Sequence, residues 1–193
     1  SYGYKSKLKI ADAVWVDNNL TLQEEFKNSV TNGFGAEVEN VDFSAAEKTC
    51  GIINSWCDKN TEGLIPKIIT PDLINDTTGL CLTNSLYFES GWSGEPWNVS
   101  DTEEKFGNNE KTKYMTCAGD RYYENDKATA FGREYANGLS FVGILPVDEG
   151  DFTLEDLDIG GLLKSQPEYD EVQCKMPKLD FETTAILNDI LSS

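Results

Sequence analysis

Apolar and polar residues recur along the chain with two different periods, which predict strands in some segments and helices in others. Residues 7–16 end in the apolar run Val-Trp-Val and are followed by Asp-Asn-Asn, which predicts a strand that stops at a turn. Thr21 then begins a sequence with the form of a capping box, and Gly33 interrupts the pattern that follows. The apolar residues between them stand at helical spacing and predict a helix over residues 21–33: Leu22, Phe26 and Val30.

A second helical pattern occupies residues 44–63. Ser44 and Glu47 repeat the capping-box form, and the glycine at position 63 ends the pattern. The apolar face of this helix is formed by Ala46, Cys50, Ile53 and Cys57. Between the two helices, the spacing of the valines in residues 36–43 predicts a short strand.

The segment 78–88 alternates with period two between a leucine-rich face and a second face of mixed residues. One face carries Leu80, Leu82, Leu86 and Phe88, and the other carries Cys81, Thr83, Ser85 and Tyr87. This pattern predicts a strand that is covered on both faces. Asn84 stands in the middle of the leucine face, where a carboxamide costs about 1–3 kcal/mol unless its hydrogen bonds are made. We therefore expect the fold to provide a partner for Asn84.

The second half of the chain is also rich in strand patterns separated by glycine, proline and asparagine. The predicted strands cover residues 112–115, 121–123, 129–132, 139–145 and 171–179. The last apolar positions predict an amphipathic helix: Ile186, Leu187, Ile190 and Leu191. Because helices and strands are mixed without regular β-α-β alternation, we expect an α+β fold with a large, mainly antiparallel sheet, in a single domain over residues 1–193.

Composition restricts the classes of partner. Sixteen basic against thirty-four acidic residues give a formal net charge of −18, which repels both phosphate backbones and anionic bilayers. Nucleic acid and membrane are therefore not expected as partners. No segment approaches the ~18 consecutive apolar residues of a membrane-spanning helix, so we expect a soluble chain. The scattered acidic residues fit a solvated surface, although a field that steers a basic partner is an alternative.

Two residue types restrict the possible chemistry. The chain has no histidine, which excludes Ser-His and Cys-His nucleophile pairs, the H-E-x-x-H zinc site and a histidine general base. The five cysteines form neither an even set nor a C-x-x-C pair, which favours free thiols over a disulfide scaffold or a zinc site. No catalytic residue, metal site or cofactor is expected, and only carboxylate or lysine chemistry would remain for an enzyme.

Several short motifs occur in the order in which they occur in serpins, and the chain resembles that family. Residues 53–57 (Ile-Asn-Ser-Trp-Cys) and 61–65 (Thr-Glu-Gly-Leu-Ile) are similar to the serpin patterns I-N-x-W-V and T-x-G-x-I. Residues 82–92 resemble L-V-N-A-I-Y-F-K-G-x-W, with one residue shifted around Gly91. The resemblance runs from about Leu8 to Leu191, and its other matches are Thr102 with Phe106, Tyr135 with residues 139–146, and residues 176–179.

The resemblance implies a protease inhibitor with a large central sheet and a second sheet flanked by helices. In serpins, a serine or cysteine protease cleaves an exposed reactive loop, which then inserts into the central sheet as an extra strand. By resemblance, Asn84 matches a polar shutter position beneath the insertion gap, Trp92 matches the tryptophan at its breach end, and Lys178 lies near the breach. Read without the resemblance, Trp92 is a large core residue and Asn84 a satisfied buried amide.

The resemblance also implies parts that this chain does not contain. Serpins continue at both ends, and the reactive loop, which selects the protease, follows the segment that matches this chain. We therefore expect an incomplete serpin domain with open sheet edges, which invite self-association. An extracellular location is expected from the family. The alternatives are a non-inhibitory serpin-like binding module and a carboxylate-dependent polysaccharide hydrolase, of which the second is weakest because no acidic pair stands out.

Overall fold

A computed structural model describes residues 6–106, 110–147, 150, 153, 156–165, 167, 169 and 172–185. The chain groups into two units, residues 1–90 and residues 91–193. The expectation of one domain over residues 1–193 stays a prediction. The predicted C-terminal helix lies outside the described residues.

The first unit is built on a three-stranded sheet. Its elements are β1 (Lys7–Asp17), α1 (Glu24–Phe34), β2 (Glu37–Val41), α2 (Ala46–Asn60), a single 3-10 turn (Pro71–Leu73) and β3 (Leu80–Glu89). The strand order is β2-β1-β3, in which β1 pairs with β2 in parallel and with β3 antiparallel. The three strands and two helices that the hydrophobic pattern predicts in this half are all present, with boundaries shifted by at most three residues.

The predicted capping boxes of both helices are wrong. The residues that precede α1 and α2 are Gln23 and Ala45, and neither makes a side-chain capping bond. The Ser44 hydroxyl instead donates to the carboxylate of Asp42 in a local turn. Gly33 lies within α1, which ends at Gly35 with a left-handed φ of 67° and its N–H donating to the Val30 carbonyl. The sequence has glycines at positions 33 and 35, and the helix ends at the one whose backbone is left-handed, Gly35.

The turn after β1 is held by a carboxylate. Oδ1 of Asp17 accepts hydrogen bonds from the backbone N–H (2.9 Å) and the side-chain amide (2.8 Å) of Asn19, and its Oδ2 accepts from the N–H of Phe43 at 3.3 Å. These donors, with the N–H of Asn19 foremost, lower the pKa of Asp17. The Asp-Asn-Asn sequence thus ends the strand by bonding to its own backbone.

Helix α2 covers one face of this sheet and forms the core of the unit with it. Trp15 of β1 is 1% exposed and meets Trp56 of α2 edge to face, with ring centroids 6.1 Å apart. Phe43 and Ile53 are fully buried in the same cluster. Full burial of such side chains contributes about 1.5–3 kcal/mol each. The sheet therefore has one sealed face, on the α2 side.

The other face of the sheet is only partly covered, so the prediction that β3 is covered on both faces is wrong for the described residues. Helix α1 packs over Val14 and Val16 at one end of this face. Leu82 and Leu86 are 65% and 59% exposed, and Ile10 opposite Leu86 is 61% exposed. The pattern correctly identified an apolar face, but the described elements of this unit leave Ile10, Leu82 and Leu86 uncovered.

The second unit contains two antiparallel three-stranded sheets. One has the order β4 (Asn98–Phe106), β5 (Glu110–Ala118), β9 (Gln173–Pro177), and the other has the order β6 (Arg121–Glu124), β7 (Ala128–Glu134), β8 (Ser140–Pro146). A four-residue helix, α3 (Ile159–Leu162), places Leu162 against the core of the β6-β7-β8 sheet. All five predicted strands of this half are present, so the α+β class with mainly antiparallel pairing is confirmed.

Strand β4 was not predicted from the hydrophobic pattern. Its sequence, Asn-Val-Ser-Asp-Thr-Glu-Glu-Lys-Phe, has no apolar face, and eight of its nine residues are exposed. It is an edge strand that pairs with β5, so its strand conformation comes from the ladder and not from burial.

Candidate functional site

Strand β3 ends its sheet with an open edge. Its inner edge pairs with β1 from Lys7↔Glu89 to Val16↔Leu80. Within the residues that the structure describes, no strand pairs with the outer edge over residues 80–87. In an antiparallel strand, the N–H and C=O groups of alternate residues point to that side. The outer edge of β3 can therefore receive another strand.

Asn84 lies in the middle of this strand, on its exposed leucine face. Its side-chain amide donates to the Asp12 carboxylate directly across on β1, with Nδ2 and Oδ1 2.9 Å apart. An ionised carboxylate only accepts hydrogen bonds, so it fixes which end of the carboxamide faces β1. The carbonyl oxygen of Asn84 is consequently directed away from Asp12. The fold thus provides the partner that the sequence required, although the amide itself is exposed.

The opposite face of β3 is fixed to the α2 side of the sheet. The indole N–H of Trp15 donates to the hydroxyl of Thr83 at 3.0 Å. Ser85 is 5% exposed, and its hydroxyl has no described partner. The strand is therefore anchored by one face and by one edge, while its other face and edge are accessible.

Trp92 lies in an aromatic cluster of the second unit. Its ring stacks on Tyr135, with centroids 4.4 Å apart and planes 18° from parallel, and it meets Trp97 and Phe141 edge to face at 5.5 and 5.9 Å. Its backbone also forms an antiparallel bridge with Tyr135. Burial in this cluster raises the pKa of Tyr135. Trp92 is thus held by both its ring and its backbone.

A buried arginine fixes the segment that follows Trp92. Arg133 is 3% exposed and its guanidinium donates to the carbonyl of Ala118 at 2.6 Å, to that of Ser93 at 3.2 Å and to that of Glu95. Its Nε is buried without a described partner. All of its described acceptors are backbone carbonyls. Arg133 therefore ties the chain after Trp92 to the end of β5.

Lys178 follows β9 in the other sheet of this unit. Its backbone N–H donates to the Lys113 carbonyl at 2.8 Å and continues the pairing of β9 with β5. Trp92, in contrast, is bridged to Tyr135, which follows β7. The three predicted site residues thus occupy three places: Asn84 is in the first unit, and Trp92 and Lys178 are in different parts of the second. Their switch roles stay predictions.

Sequence reasoning missed two residues around these positions. Asp12 is the polar residue in the alternating series Leu8, Ile10, Asp12, Val14, and that series places it on the face of Asn84. The interruption of an apolar face by a carboxylate could have identified it. Arg133 has no comparable signal, because its carbonyl acceptors come from segments distant in sequence. Only the tertiary structure brings them together.

The described residues contain no group of histidine, cysteine and carboxylate side chains that could hold a metal ion. None of the helices described for this chain is long and apolar enough to cross a membrane. These observations concern only the described part of the chain.

The comparison with protein families decides the identity of the fold. The family model described as "Serpin (serine protease inhibitor)" matches residues 3–193. The chain belongs to the serpin family. This serpin is 28% identical to Alaserpin of Manduca sexta over 199 residues, covering 96% of the chain and 51% of that relative. It is 30% identical to Serpin-ZX of Hordeum vulgare over 178 residues, covering 86% of the chain and 44% of that relative.

Solved structures confirm the serpin fold. Emu (Dromaius novaehollandiae) ovalbumin superposes with a TM-score of 0.82 at 20% identity, covering 100% of this chain and 53% of that one. A structure titled "Cleaved Serpin 42Da" gives a TM-score of 0.79 at 22% identity, with 96% and 53% covered. The predicted incomplete serpin fold is therefore correct, and the chain spans about half the length of the curated relatives it matches.

Proposed function

We propose that this serpin inhibits serine or cysteine proteases as a suicide substrate, and that its cleaved reactive loop inserts as a strand beside β3. Membership of a family described as serine protease inhibitors supports this proposal most directly. Among the described residues, the outer edge of β3 is unpaired over residues 80–87, which is where the inserted strand would pair. Antichymotrypsin-2 and Antitrypsin of Bombyx mori, two relatives that are each 28% identical, carry names of the same class.

The energy available from insertion is substantial. Among the described residues, the outer edge of β3 is unpaired over eight residues, 80–87. A partner strand gains about one inter-strand hydrogen bond per residue, and each contributes about 0.5–1.5 kcal/mol net, so insertion along this edge gains on the order of 4–12 kcal/mol from the ladder alone. This is comparable with the whole stability of a domain. Insertion beside β3 can therefore drive a large conformational change.

The predicted switch residues take roles in this mechanism. Asn84 directs its carbonyl oxygen away from Asp12, where it can accept a hydrogen bond from a side chain of the incoming strand. Trp92, which stacks on Tyr135, is assigned by resemblance to the breach end of the insertion gap, and Arg133 holds the carbonyl of the next residue, Ser93. Lys178 is assigned to the breach by resemblance alone.

The experiment that tests inhibition combines complex formation with a measurement at β3. The full-length protein is incubated with trypsin-, chymotrypsin- and elastase-type serine proteases and with papain-type cysteine proteases. We expect an SDS-stable complex with at least one active protease and none with the same protease lacking its nucleophile. Hydrogen exchange before and after reaction should show new protection of the outward N–H groups of residues 80–87. The amides of residues 13–16 of β1, where the strand is paired with β2 on one side and with β3 on the other, serve as the internal control.

The alternative is a non-inhibitory serpin-like binding module. In that case, proteases cleave the loop as an ordinary substrate, no SDS-stable complex forms with any protease of the panel, and exchange in β3 is unchanged after cleavage. This combined result would refute the inhibitor proposal. Complex formation without new protection in β3 would refute the insertion site.

Two further properties belong to the same proposal. Self-association through the open edge of β3 is expected for the 193-residue chain, and light scattering that finds a monomer with a cooperative thermal transition would contradict it. An extracellular location is expected from the family, and is tested by following a tagged full-length protein into the culture medium. Absence of enzymatic activity stays a prediction.

A further inference from the structure

Two cysteines face each other across neighbouring strands of the second unit. Cys117 of β5 stands in register with Cys174 of β9, and the two thiols are close enough for each to change the pKa of the other. Cys174 is 3% exposed, whereas Cys117 is half-buried. Both are free thiols in this structure. The pair lies outside the candidate site at β3 and has no part in the proposed insertion.

The backbone ladder brings the two cysteines within reach of a covalent bond. The N–H of Gly119 donates to the Val172 carbonyl at 2.8 Å, two residues from the cysteine pair in each strand. Antiparallel pairs alternate with period two, so Cys117 and Cys174 are also a hydrogen-bonded pair, with a typical Cα separation of about 5.5 Å. Disulfides span Cα separations of about 4.4–6.8 Å. The Cα separation expected for this pair therefore lies within the range that a disulfide spans.

We propose that Cys117 and Cys174 are a disulfide site that forms when the protein meets a low-molecular-weight disulfide such as oxidised glutathione. The thiolate of Cys117 attacks one sulfur of the oxidant and releases one glutathione thiolate, which leaves a mixed disulfide on Cys117. The thiolate of Cys174 then attacks the Cys117 sulfur and releases the second glutathione. The two cysteines lose two electrons and two protons, and the oxidant becomes two thiols.

Exposure assigns the order of the two steps. Cys117 is half-buried and reaches solvent, so it meets the oxidant first, and Cys174 lies opposite it on the neighbouring strand to resolve the mixed disulfide. Burial raises the pKa of Cys117, an effect that the nearby Arg133 partly opposes, and burial raises the pKa of Cys174 to about 12. Because the thiolate is the reactive form, the exchange proceeds over hours.

The test uses the wild-type full-length protein, so that it does not depend on a variant that folds. The protein is equilibrated with mixtures of oxidised and reduced glutathione, remaining thiols are alkylated, and the product is digested with trypsin. Each cysteine of the pair lies alone in a tryptic peptide, residues 114–121 and residues 165–175. We expect these two peptides to appear linked, with a mass two hydrogens below their sum. Reducing agent should separate them.

The linked protein should also be more stable. The bond closes a loop that includes the whole β6-β7-β8 sheet, and native disulfides of this kind raise Tm by roughly 5–15 °C in a chain of this size. Cys81→Ser, which removes a half-buried cysteine of the first unit, is the matched control and should leave both the crosslink and the rise in Tm unchanged. Cys117→Ser should abolish both.

Three results would overturn the proposal. The first is separate alkylation of Cys117 and Cys174 at every glutathione ratio. The second is a stable mixed disulfide on Cys117 that Cys174 never resolves. The third is a crosslinked protein with a lowered Tm, because that bond would distort the β5-β9 pairing from which the inference was drawn.

Discussion

Replacing Arg133 tests how a buried cation that has no carboxylate partner among the described residues contributes to this fold. Arg133→Met keeps a long side chain but removes the donors to the carbonyls of Ala118, Ser93 and Glu95. Three hydrogen bonds from a charged group contribute about 1.5–3 kcal/mol each. Two effects offset this: the accepting residues are exposed and can bond to water, and methionine avoids the desolvation cost of a buried charge. We expect a net loss of about 2 kcal/mol.

The matched control is Arg133→Lys. Lysine keeps the buried charge but presents one ammonium where arginine presents a planar fork, so it cannot reach the same three carbonyls at once. It retains the cost of burial without most of the bonds, and we expect it to be less stable than Arg133→Met. Urea unfolding, followed by the fluorescence of the four tryptophans, measures both changes. A lysine variant as stable as the wild type would refute the reasoning, because a positive charge at this position would then stabilise the fold without the three hydrogen bonds of the guanidinium.

Three further substitutions in the first unit test its hydrogen bonds and core. Asp17→Asn should reduce the fall of Tm at acid pH. The hydrogen bonds that lower the pKa of Asp17 stabilise the fold at pH values above the unfolded-state pKa of about 3.9. This stabilisation is lost as the pH falls through the lower pKa of the folded state. An unchanged fall of Tm would contradict this. Thr83→Val leaves the buried indole N–H of Trp15 without its acceptor and should cost about 1–3 kcal/mol in urea, whereas Thr83→Ser should cost less. Ile53→Ala should lower the free energy of unfolding by about 2–5 kcal/mol and Ile53→Val by about 0.5–1.5 kcal/mol. Equal losses for the two variants would mean that the surrounding side chains collapse into the cavity.

The sequence was sufficient to predict the strands and helices in which buried and exposed side chains alternate periodically. β3 was predicted within two residues, because period-two alternation directly reflects which side chains face a core or a partner. The same reasoning failed for β4, where a nearly fully exposed edge strand leaves no hydrophobic pattern to detect. It failed again at both helix starts, because a Ser or Thr followed by Glu at the right spacing also fits a turn, as Ser44 shows with Asp42.

The candidate site was predicted one residue at a time and not as an arrangement. The alternation in β3 identified Asn84 as a polar residue on an apolar face, and the structure supplied Asp12 as its partner. The resemblance drew attention to Trp92, but the stack on Tyr135 depends on a backbone bridge over more than forty residues. Arg133 was inaccessible to sequence reasoning, since none of its acceptors belongs to a side chain.

The Asp12–Asn84 pair allows stability and inhibition to be separated. Asn84→Asp places two carboxylates directly opposite each other on neighbouring strands, which should cost about 0.2–1 kcal/mol and less at high salt. Adding Asp12→Asn exchanges the two side chains and should restore the hydrogen bond and the stability. The exchanged pair, however, presents a carboxylate at the centre of β3, with no amide to complement the incoming strand. If Asn84 acts during insertion, the double variant is as stable as the wild type yet forms less SDS-stable complex, whereas full recovery of both properties would assign Asn84 a structural role only.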